Sequence, residues 1–132
     1  MPITTPAQLD LARRVSEHVH AHPAQHDQTI FYRDDAGAGG TAGCIAGWTA
    51  VLDGAQPIFA ELGSCLAFEV STPGGDRLIA EYARKALGLT ADEARELFTP
   101  DQLDSSAREY LDELIEDAVR SGVVTANAGV RV

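Results

Sequence analysis

The chain is poor in cations. Nine arginines and Lys85 make up its 10 basic residues, against 20 acidic ones, for a formal net charge of -10. Affinity for nucleic acid comes mainly from Lys and Arg neutralising phosphates, so this balance argues against direct nucleic-acid binding. It suits a soluble acidic surface, a basic partner, or mimicry of nucleic acid toward a protein that binds it. Cysteine is scarce too: Cys44 and Cys65 stand far apart, without the spacing of a disulfide framework or a zinc motif. Long apolar runs are missing, and nothing approaches the ~18–20 residues needed to span a bilayer, which excludes a membrane role through a spanning helix. A basic, apolar leader is also lacking. The expectation is a cytoplasmic protein with two free, largely buried thiols and no cofactor. There is no internal repeat. At 132 residues the chain reads as a single globular domain over 1–122, with 123–132 as a tail or an added strand.

What the sequence does hold is organised around Gly43-Cys44-Ile45-Ala46-Gly47-Trp48-Thr49-Ala50-Val51-Leu52, a run apolar or small on every side of a helix. A helix without a polar face has to be enclosed, so this run is expected to be a buried central helix over 42–53, capped by Thr41 and stopped by Gly54. Thr5-Pro6-Ala7-Gln8 joins a capping box to a first-turn proline and predicts a helix to about Ala21, with Leu9, Leu11, Ala12, Val15 and Val19 inward. Ile30 to Tyr32 reads as a short strand and 34–40 as a loop. Beyond Gly54 the period changes to two. Ile58, Ala60 and Leu62, then Leu66, Phe68 and Val70, flank Gly63-Ser64, the pair expected in a type II′ turn, and predict a hairpin at 57–71.

Thr72-Pro73-Gly74-Gly75 is a turn, after which Asp76 is expected to cap a helix to Leu87, stopped by Gly88. Thr90-Ala91-Asp92-Glu93 is a second capping box opening a short helix through Phe98. A last helix over 105–121 is expected to bury Tyr110, Leu111, Leu114, Ile115, Ala118 and Val119. The fold class expected is α+β, mostly α: about five helices around 42–53, with a small antiparallel hairpin or sheet at 57–71.

Cys44-Ile45-Ala46-Gly47-Trp48 after a Gly/Thr segment, then Leu87-Gly88-Leu89-Thr90, Glu93-Ala94 and Leu97-Phe98, resembles an uncharacterised family of small hypothetical proteins of high-GC bacteria and their phages. The likeness covers Phe31 to Phe98. It implies a phage or bacterial accessory protein whose ligand is a host protein. Members often carry a second cysteine just before the Gly/Thr segment, where this chain has Gly39 and Gly40, which removes the pair a metal or redox role would need.

Three constellations compete for a function. Cys44 in the first turn of a helix would have its thiol pKa lowered by unpaired backbone N–H groups, and His18, His22 or His26 would then serve as base for a hydrolase or transferase. The competing reading is a buried thiol beside a packing tryptophan. His18 and His22 are four apart on one helical face and, with His26, offer a permissive metal pattern, against solvated helix-end imidazoles. Glu109, Asp112, Glu113, Glu116 and Asp117 form the acidic outer face of the last helix, either a solvated surface or an interaction surface. Gly37 to Gly43 lacks the lysine of a P-loop. No catalytic set is complete, so the reading is a non-enzymatic interaction module acting on a host protein through that acidic helix or an exposed sheet edge. The alternatives are a Cys44-dependent enzyme and a structural homodimer without ligand.

Overall fold

Two capping boxes set the frame of the computed structural model, which describes residues 3–35, 40–59, 66–99 and 101–123. Thr5 accepts from the Gln8 backbone while the Gln8 side chain accepts from Thr5, and this opens α1 (Pro6–Ala21). All five of its expected core residues are buried. Thr90 and Glu93 make the same reciprocal pair at the start of α4 (Ala91–Phe98). Between them lie β1 (Tyr32–Asp35), β2 (Gly40–Gly43), α2 (Ile45–Leu52), β3 (Gln56–Phe59), β4 (Leu66–Thr72), β5 (Gly75–Leu78) and α3 (Ile79–Leu87), and α5 (Asp104–Arg120) closes the described chain.

The expected small hairpin at 57–71 is corrected. Among the described residues the fold is α+β with five α-helices and a five-stranded antiparallel sheet, in which β4 pairs with β1, β3 and β5 while β2 pairs with β1. Two stretches read as other things supply the extra strands. Asp34, Asp35 and Gly40 to Gly43, taken as loop and helix start, make the β1–β2 hairpin, so Thr41 pairs with Asp34 and is not a cap. Asp76, taken as a helix cap, pairs with Ser71 in β5, and α3 starts only at Ile79. The reason is the same in both places: a neighbouring strand offers a run of four paired positions, which outweighs a single local cap. The Gly63-Ser64 turn and the role of 124–132 lie outside the described residues.

Helix α2 is accordingly shorter than 42–53, with Cys44 at its N-cap position in extended geometry and Gly54 at φ 97 beyond its end. Its first six residues are buried, whereas Val51 and Leu52 are only partly so. It packs against α1, α3, α4 and strands β2 and β3, which makes it the centre of the core as expected. Small residues permit this. A Cβ on Gly47 would lie 1.7 Å from the Phe31 carbonyl oxygen, and one on Gly43 2.6 Å from the same atom. The Cys44 N–H donates to the Ile30 carbonyl at 2.9 Å and the Asp27 N–H to Gly43 at 3.0 Å, so the 27–31 segment lies flush against the helix entrance. In α5 the buried residues are Ala107, Leu111, Leu114 and Ala118, whereas Tyr110 and Ile115 are half-buried and Val119 is exposed. No helix among the described residues is long and apolar enough to cross a membrane.

Candidate functional site

The candidates read from sequence do not converge. Cys44 is 1% exposed, its sulfur 3.9 Å from the Phe31 carbonyl oxygen. Burial pushes the thiol up to about 11, although backbone N–H groups at Gly47 and Ala46 pull the other way. The helix entrance was expected to lower this pKa; desolvation outweighs it, because the thiolate would have to exist away from water. A sealed, protonated thiol is no nucleophile. Cys65 lies outside the described residues.

The histidines go to separate tasks. His18 tilts against Trp48 at a ring separation of 4.1 Å, and its Nε2 meets Gln25 Oε1 at 2.9 Å; burial, ahead of these partners, lowers its pKa. Trp48 in turn donates its indole N–H to the Gln25 carbonyl at 2.7 Å. His22 is exposed, its ring 4.9 Å from that of His18. His26 instead turns into the protein, where it meets Gln28 and Arg108 at 2.9 Å each. No group of three or more His, Cys, Asp or Glu able to hold a metal occurs among the described residues.

The acidic helix face is divided. Glu109, Glu113, Glu116 and Asp117 are exposed, with Asp117 paired to Arg120. Asp112, half-exposed, is engaged by the neighbouring helix. One of its oxygens accepts from the Ser16 hydroxyl at 2.5 Å and the other meets His20 Nε2 at 2.8 Å, which ties α5 to α1.

The feature that sequence reasoning missed is an apolar cleft. It has a volume of about 420 Å³ between α3 and α4 and is walled by Phe31, Ala80, Ala91, Ala94 and Phe98, with Glu81, Arg84, Arg95 and Thr99 at its borders. Phe68 extends this surface: it is 48% exposed and meets Phe31 edge to face at 6.4 Å. Its exposure follows from the backbone. Ile58 pairs with Glu69 but Phe59 pairs with Ala67, so Phe68 is the extra residue of a β-bulge. The buried positions of β4 are therefore Ala67 and Val70, three apart, and Phe68 escapes the core. Strict alternation through Leu66, Phe68 and Val70 gave no warning of this. The only hint in α4 is Ala91, an exposed apolar residue in line with the buried Ala94 and Phe98.

The cationic groups at the border are engaged: Arg84 donates to the Leu89 carbonyl at 3.3 Å and Arg95 pairs with Asp92 at 3.1 Å. Acidic groups gather on the α4–α5 side, where the Tyr110 phenol is pushed up to about 12 by burial and then by Glu96 and Glu93. What the arrangement offers is shape, apolar area and negative charge. No family model, no curated protein and no solved structure matches the chain.

Proposed function

We propose that this protein is a non-enzymatic interaction module whose cleft between α3 and α4 receives an apolar segment of a partner protein, flanked by basic residues. The observation that carries the reading is the apolar cleft walled by Phe31, Ala80, Ala91, Ala94 and Phe98, with the exposed Phe68 ring set edge to face against Phe31 beside it. A cleft of about 420 Å³ falls within the roughly 300–1,000 Å³ of ordinary recognition sites. Apolar anchors supply the affinity of such contacts, and charge around them supplies orientation and on-rate. Carboxylates at Asp92, Glu93 and Glu96 on α4, and Glu109 and Glu113 on α5, suit Lys- or Arg-rich flanks. The resemblance to phage and high-GC bacterial proteins supports a host protein as that partner. Cys44 is sealed, which takes support away from the hydrolase alternative.

Selection from a displayed library of random peptides tests this. Ligands enriched on the native protein should carry spaced apolar anchors with basic neighbours. They should weaken about tenfold or more, some 1.4 kcal/mol, toward Phe68→Ser and Ala91→Glu, both at exposed positions, while circular dichroism stays native. Ligands indifferent to both variants would sink the cleft as the docking surface. A dimer of the unliganded protein that both variants dissolve would show that a second copy occupies the cleft, and would replace the present reading.

A further inference from the structure

The loop between α1 and β1 places two polar side chains, His26 and Gln28, in the interior at 3% and 2% exposure, where α2, α4 and α5 meet. Gln28 Nε2 donates to the carbonyl of Leu97, in the last turn of α4, at 2.6 Å. Its Oε1 is therefore the acceptor. It takes the His26 Nε2–H at 2.9 Å and, at 3.4 Å, the backbone N–H of Ile45 that opens α2. The Gln28 backbone N–H donates to Asp104 Oδ1 at the start of α5, at 2.8 Å. The other imidazole nitrogen, Nδ1, lies 2.9 Å from Arg108 Nη1 on α5. A guanidinium can only donate, so Nδ1 must present a lone pair and the ring is the neutral Nε2–H tautomer. Every link in this network has one polarity, and it closes only while His26 carries a single proton.

We propose that His26 is an acid-sensitive latch that fixes α4 and α5 to the α1–β1 loop and thereby sets the wall of the cleft. Its bearing on docking, though not the latch itself, rests on the reading given above. Protonation of Nδ1 would set an N–H against the N–H of Arg108 and put two positive charges side by side in a dehydrated place. The bond from Arg108 would be lost. Strain would pass through Gln28 to the Leu97 carbonyl, one residue from Phe98 in the cleft wall.

The charged groups facing the ring are Asp27 on its own loop and Asp104 and Arg108 on α5. From α2 and α4 the network meets backbone groups, the Ile45 N–H and the Leu97 carbonyl. Asp27 and Asp104 favour the imidazolium, but one is engaged by Thr29 and the other by the Gln28 N–H. Burial, with Arg108 beside it, prevails, so the ring takes its proton below the ordinary imidazole value of 6.5. With the folded pKa below the unfolded one, the latch contributes fully above about 6.5 and is lost as pH falls through the folded value.

Nuclear magnetic resonance of the full chain, without ligand, tests the latch. Long-range proton–nitrogen correlations at neutral pH should show His26 protonated at Nε2 alone. On acidification its midpoint should fall below 6.5, and the amides of Leu97, Phe98 and Asp104 should move with that midpoint. His26→Asn puts an uncharged oxygen where Nδ1 stands and should abolish these movements; Arg108→Met should raise the midpoint. An Nδ1–H tautomer, a midpoint at or above 6.5, or amides that move equally in His26→Asn would each overturn the proposal. If His26→Asn does not fold, the tautomer and the Arg108→Met shift still decide. No ligand enters this measurement, so a failed latch leaves the docking reading standing and a failed peptide selection leaves the latch.

Discussion

At the scale of single residues, burial and close packing outweigh local chemistry. Cys44 shows burial defeating a helix entrance: the N–H groups are there, yet the thiol rises to about 11 because the charge would be formed in a dry place. Native protein treated with iodoacetamide at neutral pH should therefore remain unmodified at Cys44, as read by peptide mass spectrometry, and become modified on unfolding in urea. Rapid alkylation of the native state would contradict the sealed site. Gly47 shows the opposite economy, a residue selected for what it lacks. With the Phe31 carbonyl 1.7 Å from where a Cβ would stand, Gly47→Ala has to move backbone, and a loss of about 2–3 kcal/mol or more is expected from urea unfolding. Phe68 owes its exposure to a one-residue register slip and not to its own chemistry.

At the scale of elements, the ends of helices were easier to anticipate than the strands. Caps are local: Thr5 with Gln8, Thr90 with Glu93, and Gly88 in the left-handed region at φ 72 all act over three or four residues. Thr90→Ala should cost about 1 kcal/mol by loss of the α4 cap and should loosen the wall of the cleft with it. A Thr90→Ala protein as stable as the parent would show that α4 is held by packing alone. Strands β2 and β5 carry no such local mark. Gly-Thr-Ala-Gly has poor strand propensity and Gly-Asp-Arg-Leu has a credible cap in its second residue, and both are extended because β1 and β4 lie alongside with unpaired backbone groups. The α1–α5 contact is likewise nonlocal: Asp112, at the edge of the acidic face, is engaged by Ser16 and His20 of α1, partners that helical periodicity alone does not reveal.

At the scale of the whole molecule, one buried and one half-buried imidazole make stability depend on acid. His18 and His26 both have their pKa lowered chiefly by burial, so the unfolded chain takes up protons first as pH falls below about 6.5. Urea midpoints should accordingly decline from neutral pH toward about pH 5, before most carboxylates titrate; a flat profile there would contradict neutral, enclosed rings. Asp27, held low by its bonds from Thr29, contributes in a separate window and is lost only below its ordinary 3.8. Local patterning of the sequence was enough to determine the central apolar helix, the capped helices α1 and α4, the inward stripe of α1 and the excess of negative charge, because each depends on residues within a few positions of one another. Tertiary structure alone decided the five-stranded sheet among the described residues, the sealing of Cys44, the inward turn of His26, the cleft between α3 and α4, and the exposure of Phe68 at its bulge. These depend on which distant backbone groups find each other and on how much water the packing leaves behind, quantities that no short window of sequence contains.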